Sequence, residues 1–314
     1  MIIVDINQIM ISNLMVQISG RNAVELNEDL VRHMVLNSLR AHNKKFRKEY
    51  GEMVIACDSK NVWRREIFPN YKAGRKANRA KSEHDWDAIF SMLHNIKNEI
   101  KTFLPYKVIE IETAEADDII AYLAKRASTS AVKKMTIVSS DKDFLQLVND
   151  TVEVYAPVKK KTFTATNIQE EIKVLPENYN IVKALLGDNS DNLAGVKGLG
   201  IKTILSEFPK LAKTKSELDY IFDVCETKLD DKKVKKIFPK IITSWDRVET
   251  NFKLMDLHES DLDEREKEEV IEMIKTNPPG LETGAFLRLL DKDQIEGITK
   301  NTEGWLENFR GLTI

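Results

Sequence analysis

Acidic residues stand where apolar segments of the chain end, and they are the side chains most able to do chemistry. Three apolar segments, IIVD, MVIACD and MTIVSSD, each end in Asp, and the other acids lie in or beside helical patterns. The acids in this setting are Asp5, Asp58, Glu115, Asp117, Asp118, Asp141, Asp143, Asp188 and Asp191. Carboxylates in one cleft repel, by about 4 kcal/mol at 4 Å and an effective dielectric of 20, unless cations lie among them. We therefore expect a metal site with oxygen ligands, which suits Mg²⁺ or Mn²⁺ better than zinc.

Each of these acids also has a simpler structural explanation. An Asp at the end of a strand often caps the next helix, and acids in the first turn of a helix favour its dipole. Taken singly, Glu115, Asp117 and Asp118 are better explained in this way. The set as a whole is not explained by capping and helix dipoles. We favour a site for two ions about 3.5–4 Å apart, which can bind the attacking and leaving oxygens of a phosphodiester displacement.

A strongly basic segment follows Asp58. Residues 59–82 contain eight Lys or Arg and a single acid, Glu66, although the net charge of the whole chain is −2. A basic surface beside an acidic rim fits a phosphodiester substrate, because metal ions hold the scissile phosphate while Arg and Lys hold its neighbours. The alternative is a solvated, lysine-rich helix. Trp63 and Tyr71 lie in this segment, where they either stack on bases or pack into the core.

Short apolar runs alternate with helical patterns through the first half of the chain. Strands are predicted at 2–6, 53–58, 108–111 and 135–141, and helices near 28–49, 83–103 and 114–127. VEVYAP and TFTA predict an antiparallel hairpin at one edge. Together these elements predict an α/β fold with a mostly parallel central sheet and helices on both faces. Ligand sites of such sheets form at the carboxyl ends of the strands, so we expect the acids to meet on one rim.

The strand signal stops at Pro176, and the remainder of the chain is predicted to be helical. We place a domain boundary here, between an α/β core at 1–178 and a helical domain at 179–314 that ends in a helical tail. The glycine motif GVKGLG, residues 195–200, precedes an apolar helix that begins IKT. Glycines where a turn meets a helix N-terminus can hold a phosphate on backbone N–H groups. The alternative is a turn that only connects two helices.

Composition and cysteine usage exclude several classes of protein. The chain has 314 residues, 42% hydrophobic and 31% charged, as in globular domains. No apolar run approaches the roughly 18 residues of a membrane-spanning helix, and MIIVDIN lacks the features of a signal peptide. Cys57 and Cys225 cannot build a disulfide framework or a zinc cage, and the five His show no ligand spacing. We expect a cytoplasmic protein, in the host cytoplasm if a phage encodes it, with no membrane partner.

Five segments of the chain resemble the structure-specific 5′-nucleases, a family that includes flap endonucleases, phage 5′-exonucleases and the 5′-nuclease domain of bacterial DNA polymerase I. In the family's order they are IIVDIN, VIACDSKNVWRREIFPNYKAGRK, IETAEADDIIAYLA, TIVSSDKDFLQL and LLGDNSDNLAGVKGLGIKT. They cover roughly residues 1–205, and within the family the resemblance is greatest to the ribonuclease H branch of T-even bacteriophages. The resemblance implies a PIN-like 5′-nuclease core, a basic helical arch or clamp at about 59–103, and a helix–three-turn–helix at about 181–208 in the C-terminal helical domain.

The resemblance also gives each candidate residue a role. It assigns the first metal site to Asp5, Asp58, Glu115 and Asp117, and the second to Asp141, Asp143 and Asp191, with Asp118 and Asp188 as outer or water-mediated members. It assigns contacts with the scissile phosphate to Arg64 and Lys72. The DNA-binding residues that it implies are Arg65, Arg75, Lys76, Arg79, Gly195, Lys197, Gly198, Gly200, Lys202 and Thr203. The implied cofactors are two Mg²⁺, or Mn²⁺ in their place, and a monovalent cation at the helix–three-turn–helix as in some relatives.

The activity implied is that of a two-metal 5′–3′ nuclease. It would remove RNA primers from RNA–DNA hybrids and cut duplex DNA at 5′ ends or flaps, as a monomer with a single-stranded-DNA-binding protein or sliding clamp as replisome partner. Two alternatives remain open. A PIN-type ribonuclease shares the sheet and the acidic rim but normally lacks the long basic insertion and the glycine motif. A non-catalytic DNA-structure-binding protein would keep the shape and lose acids, yet every matched position here is Asp or Glu.

Overall fold

The computed structural model describes residues 1–18, 26–129, 134–230, 233–259 and 262–276, together with the single positions 284 and 287. The predicted helical tail beyond residue 276 lies outside these ranges, apart from those two positions.

A six-stranded sheet forms the centre of the first half of the chain. Its strands are β1 (Ile2–Asp5), β2 (Met53–Cys57), β3 (Lys107–Glu110), β4 (Met135–Val138), β5 (Val152–Ala156) and β6 (Lys161–Phe163). They lie in the order β3-β2-β1-β4-β5-β6; the first five are parallel and β6 is antiparallel to β5. The predicted mostly parallel sheet and its edge hairpin are confirmed. The order reverses between β1 and β4, which opens a crevice at their carboxyl ends.

Helices cover both faces of the sheet. Those of the first half are α1 (Ile6–Ile18), α2 (Glu28–Tyr50), α3 (Arg64–Ile67), α4 (Ala73–Ala80), α5 (Trp86–Phe103) and α6 (Ala116–Thr129). Helices α1, α2 and α5 pack on the face that contains Ile2, Val4 and Ile55. Helix α6 packs on the opposite face, which contains Ile3 and Ile137. The strands read as unbroken apolar runs because both of their faces are buried.

The predicted boundaries of α2 and α5 are nearly correct because caps mark them. The Asn27 side chain accepts the N–H of Leu30 at the start of α2, and Asp85 accepts two N–H groups at the start of α5. Helix α1 was not predicted, since its apolar residues are spread around the helix and show no clear period. Helices α3, α4 and α5 occupy the connection from β2 to β3, where the basic segment was placed.

The second half of the described chain is mainly helical. It contains α7 (Ile168–Ile172), α8 (Tyr179–Leu186), α9 (Ile201–Glu207), α10 (Asp219–Leu229), α11 (Ile237–Ile242), α12 (Trp245–Met255) and α13 (Glu264–Lys275). One prediction was wrong here: β7 (Gly187–Asp188) and β8 (Leu193–Ala194) form a short antiparallel ladder beyond Pro176. Ile181, Phe208 and Val248 belong to the same apolar cluster as Ile3 and Ile137, so the helices extend the core of one sheet face.

Among the described residues, no helix is both long enough and apolar enough to cross a bilayer.

Candidate metal centre

Asp5 lies at the carboxyl end of β1, beside the crevice between β1 and β4. Its side chain accepts hydrogen bonds from the backbone N–H of Gln8 (3.0 Å) and from the hydroxyl of Ser139 (3.1 Å). Burial, followed by the charges of Asp58 and Asp141, raises the pKa of Asp5 to about 7. The carboxyl group therefore takes up a proton near neutral pH unless another cation is bound beside it.

Three further carboxylates lie close enough to Asp5 to interact with its charge. Asp58, one residue beyond β2, accepts the N–H of Ala116 at the start of α6 (2.8 Å). Burial, followed by the charge of Asp141, raises the pKa of Asp117 well above its usual range. Among the described residues, the basic side chains near the crevice form ion pairs with other acids and leave these four without one.

Lys183 on α8 joins two of the outer acids. Its Nζ lies 2.6 Å from the carboxylate of Asp143 and 2.7 Å from that of Asp188. Burial and the charge of Asp141 outweigh this pairing and raise the pKa of Asp143 to about 6. Burial opposes ionisation of Asp188 too, but Lys183 and Ser190 donate hydrogen bonds to it and lower its pKa to about 2. Lys183 was not predicted from the sequence; it stands five residues before Asp188 on an apolar helix.

Glu115 lies at the base of the basic segment and is almost fully buried. The Nζ of Lys72 lies 2.6 Å from one carboxylate oxygen, and the hydroxyl of Tyr71 lies 3.0 Å from the other. Burial opposes ionisation of Glu115, but the positive charges of Lys72 and then of Arg64 outweigh burial, so the pKa of Glu115 is lowered. The same tyrosine hydroxyl lies 3.2 Å from Asp191, so Tyr71 connects two acids from distant parts of the chain.

Arg64 is buried and pairs with two of the acids. Its side chain is only 2% exposed, and its two terminal nitrogens each donate to Asp118 at 2.8 Å. One of these nitrogens also lies 3.1 Å from Glu115, and Nε donates to the carbonyl of Leu254 (2.9 Å). All three guanidinium nitrogens are thus engaged with protein acceptors, and the assigned contact of Arg64 with the scissile phosphate stays a prediction.

Asp118 is held mainly by Arg64. Both of its oxygens accept from Arg64, and one also accepts the N–H of Glu115 (2.9 Å) and the indole N–H of Trp63 (3.3 Å). Asp118 therefore organises the structure behind the other acids, and its predicted outer or water-mediated role stays a prediction. Tyr71 is 4% exposed, and Trp63 packs with it in a small apolar cluster, so the core explanation holds for both aromatics.

The remaining carboxylates fit a hard divalent cation in chemistry. The donors are all oxygens, and burial together with the like charges around them raises the pKa values of Asp5 and Asp117, which a bound cation would reverse. Within the described ranges, however, no three acidic, imidazole or thiol side chains form a complete metal-binding group as they stand. Lys72 and Lys183 hold Glu115 and Asp143 in ion pairs.

The basic segment presents its cations on an exposed helix. No residue of α4 is buried, and Lys76 lies on it exposed. Arg75 forms an ion pair with Asp191 at 2.8 Å and is half exposed. The guanidinium of Arg79 lies 5.1 Å from the ring centre of Phe90 on α5. Arg65 is exposed and donates to the carbonyl of Lys60 at 3.0 Å.

The glycine motif contains three glycines in different situations. Gly198 has a φ of 84°, the left-handed region that favours glycine, whereas Gly200 is extended and has open space at its Cα. A Cβ on Gly195 would lie 2.0 Å from the carbonyl oxygen of Leu186, so Gly195 is required by the packing of β7 against β8. Neither a positive φ nor a close neighbour restrains Gly200.

Two lysines of this motif face solvent, as a phosphate contact requires. Lys197 and Lys202 are exposed, and Thr203 is partly exposed at the start of α9. The carbonyl of Lys197 accepts a hydrogen bond from the Nζ of Lys240 on α11 (3.2 Å), which adds a third cation beside the turn.

Residues 4–173 match the family model of the 5′-3′ exonuclease, N-terminal resolvase-like domain. The chain is 34% identical over 199 residues to the ribonuclease H of Enterobacteria phage T4, which covers 62% of each protein. It is 32% identical over 208 residues to a 5′-3′ exonuclease of Aquifex aeolicus, covering 60% of this chain and 68% of that protein. The chain spans less than two thirds of the phage T4 protein, and 54% of a similar exonuclease of Buchnera aphidicola.

Solved structures with the same fold include a flap endonuclease of bacteriophage T5 in a complex with DNA and metal ions. That structure superposes with a TM-score of 0.68 at 21% identity, over 88% of this chain and 99% of the phage chain. A T5 5′-exonuclease with bound zinc superposes with a TM-score of 0.69 at 20% identity, over 88% and 98% of the two chains. At this level of identity the likeness establishes the fold, including its helical second half.

Proposed function

The chain belongs to the family of 5′–3′ exonucleases with a resolvase-like N-terminal domain, and we propose that it is a 5′–3′ nuclease dependent on Mg²⁺ or Mn²⁺. Its proposed substrates are duplex DNA with a 5′ end or flap and the RNA of RNA–DNA hybrids. One observation carries the proposal: Asp5, Asp58, Asp117 and Asp141 share the crevice at the strand reversal without a basic partner among the described residues. Divalent cations stabilise such a cluster of carboxylates, and phosphate groups stabilise the basic helix beside it.

Two groups of carboxylates would hold the ions. The first consists of Asp5, Asp58, Glu115 and Asp117, and the second of Asp141, Asp143 and Asp191, with Asp188 acting through water. When bound, the ions supply Lewis-acid activation of water and neutralise charge that develops on the phosphate. Asp118 is left out of both groups because Arg64 occupies its two oxygens.

The chain's own cations then act on the substrate. Lys72 and Arg75 lie on the acidic rim, where they pair with Glu115 and Asp191 in the absence of substrate. We propose that both turn to phosphate oxygens when those acids take up an ion, since each then loses the charge that holds it. Arg64 remains buried and positions Glu115 and Asp118.

Duplex binding is assigned to the glycine motif. Lys197, Lys202 and Thr203 are accessible at the turn before α9, and the left-handed Gly198 lets backbone N–H groups face a phosphate. Gly195 contributes by closing β7 on β8 and not by contact with DNA. The exposed cations of α4 extend the same basic surface toward the acids, and they are assigned to the unpaired 5′ strand.

A digestion of labelled substrates tests the proposal. The substrates are a 5′-flap, a nicked duplex, an RNA–DNA hybrid and a single-stranded RNA of the same sequence, each incubated with Mg²⁺, with Mn²⁺ and with EDTA. We expect cleavage of the first three, in either metal and not in EDTA. Preferential cleavage of the single-stranded RNA would favour a PIN-type ribonuclease. Tight binding of the flap without any cleavage would favour a non-catalytic DNA-structure-binding protein.

A further inference from the structure

The last turn of α12 and the residues after it contact the segments that carry the candidate metal ligands other than Asp5 and Asp58. We call residues 251–257 the clasp. Asn251, which is 2% exposed, donates from Nδ2 to the carbonyls of Ala184 and Ala194, both at 3.0 Å. These carbonyls lie on the two sides of the loop that contains Asp188 and Asp191, so Asn251 closes that loop at its base.

A second contact joins the clasp to the segment of Asp143. Gln146, which is 1% exposed, lies in the short 3₁₀ helix Asp143–Leu147. Its side chain donates to the carbonyl of Met255 at 3.0 Å and accepts the N–H of Leu257 at 3.0 Å. The side-chain amide of Gln146 thus pairs with the clasp backbone as another peptide group would. Gln146 stands three residues after Asp143, which is a candidate ligand.

The third contact is the buried arginine. Arg64 donates from Nε to the carbonyl of Leu254, while its other nitrogens hold Glu115 and Asp118. The clasp is therefore joined, through three buried side chains, to the segments that carry most of the candidate ligands. The exceptions are the segments at the ends of β1 and β2, which carry Asp5 and Asp58.

We propose that the clasp sets the spacing of the two groups of metal ligands, and that Gln146 and Asn251 are positioning residues for the metal centre. Neither side chain touches a candidate ligand. Each holds in place a backbone segment from which a candidate ligand projects. Carboxylates that repel one another move apart unless their backbone is held, and a buried carbonyl that loses its donor is destabilised and shifts. The inference rests on the proposed function, because it takes the acids to be metal ligands.

The proposal gives the helical second half a role beyond DNA binding. The clasp lies about 80 residues beyond the end of the matched family domain at residue 173. The ligands of the second group come from both sides of that limit, and the clasp joins them. We infer that the N-terminal domain alone does not hold the second group in its metal-binding arrangement.

A titration of the full chain with Mn²⁺ tests the proposal. The variants are Gln146→Met and Asn251→Leu, which keep the size of each side chain and remove its hydrogen bonds. The matched control is Asn178→Leu: Asn178 is fully buried and makes three hydrogen bonds at 2.8 Å, to Leu211, Thr214 and Ser216, none of which belongs to the clasp or to a segment that carries a candidate ligand. We measure Mn²⁺ affinity by calorimetry and the free energy of unfolding by urea denaturation for all four proteins.

We expect Gln146→Met and Asn251→Leu to bind Mn²⁺ about 10–100-fold more weakly than the wild type, as is typical when residues that orient ligands are lost. Asn178→Leu should lose comparable stability and bind Mn²⁺ within about twofold of the wild type. If Gln146→Met does not fold, Gln146→Glu replaces it, since it keeps the acceptor for Leu257 and removes the donor to Met255.

Two outcomes overturn the proposal in distinguishable ways. If both clasp variants bind Mn²⁺ like the wild type, or no more weakly than Asn178→Leu, the clasp only joins the two halves, and the proposed function is untouched. If the wild type itself binds no Mn²⁺, the assignment of the acids fails, and the proposed function fails together with the clasp.

Discussion

The Nζ of Lys72 lies 2.6 Å from a carboxylate oxygen of Glu115, so an ion pair joins the basic segment to the acidic crevice. The Lys72 side chain is 15% exposed, and its backbone N–H donates to the carbonyl of Asp191 (3.0 Å). Lys72 also adopts a left-handed backbone conformation, with a φ of 57°, which is unusual for a residue other than glycine. These contacts hold the cation at the edge of the acidic crevice, where the proposed substrate would place its phosphate.

Replacing Lys72 tests whether that cation acts in the transition state. We expect Lys72→Met to lower kcat by about 100-fold or more and to change KM by less than about threefold, because the charge is needed most when the phosphate gains charge. The measurement is steady-state cleavage of a 5′-flap in Mg²⁺. Lys44→Met, on the exposed surface of α2, is the control and should leave both constants unchanged. A rise in KM at constant kcat would make Lys72 an ordinary backbone contact.

Arg64 should matter for stability and not for direct contact with DNA. Arg64→Met leaves Asp118 buried without its partner, which typically costs about 3–5 kcal/mol. The double variant Arg64→Met with Asp118→Leu should recover part of that loss, and Arg64→Lys should not, since lysine cannot reproduce the two parallel hydrogen bonds. Urea denaturation in EDTA measures each free energy of unfolding. An Arg64→Met protein with wild-type stability and weakened DNA binding would contradict the buried position.

Asp5 should destabilise the metal-free protein above neutral pH. The pKa of the Asp5 carboxyl is about 7 in the folded chain, whereas its ordinary value is 3.8. The stability that the protonated carboxyl contributes is therefore fully present below pH 3.8 and is lost as the pH rises through about 7. In EDTA at pH 8 we expect Asp5→Asn to be about 1–2 kcal/mol more stable than the wild type. At pH 5 the difference should fall to less than half of its value at pH 8, and it should disappear only near the ordinary pKa of 3.8.

Added Mn²⁺ should reverse the order at pH 8, because only the wild type keeps the full set of ligands. Thermal or urea unfolding of both proteins at the two pH values, with and without Mn²⁺, gives all the required comparisons. A variant less stable than the wild type in EDTA at pH 8 would show that Asp5 has a stabilising partner.

The sequence predicts the parts of the fold that depend on local patterns. Strands β1 to β5 follow from apolar runs, and the convergence of Asp5, Asp58 and Asp141 follows from the rule that parallel strands end at one edge. The fate of Arg64 could not be predicted, since its acceptor on Leu254 lies 190 residues away in the chain. Lys183 was missed for a related reason: its bond to Asp143 exists only because α8 packs beside the 3₁₀ helix.

The glycine motif shows the same limit. Its spacing identifies a turn before a helix, but three glycines in six residues look equivalent in the sequence. In the structure Gly195 is fixed by the backbone of Leu186 and Gly198 by its positive φ, while Gly200 has neither restraint. Only packing separates these roles.

Lys202 tests the assignment of the motif to duplex binding. It is exposed at the start of α9, and we expect Lys202→Ala to weaken duplex binding and to reduce the slope of log affinity against log salt concentration by about one unit. The measurement is a salt titration of duplex affinity in Ca²⁺ or EDTA for the variant and the wild type, with Lys213→Ala as an exposed control elsewhere in the helical half. Equal slopes would remove Lys202 from the phosphate contacts.

The most direct test of the account is cleavage of a 5′-flap duplex, labelled at its 5′ end, by the wild type and by Asp141→Asn. Asp141 stands at the exposed edge of the acid group, and its loss should leave the fold and the basic surface intact. The account predicts that the wild type cuts the flap in Mg²⁺ and not in EDTA, while Asp141→Asn binds the same flap with unchanged affinity and releases no product. Cleavage by the wild type that persists in EDTA, or cleavage by Asp141→Asn at the wild-type rate in Mg²⁺, would contradict it.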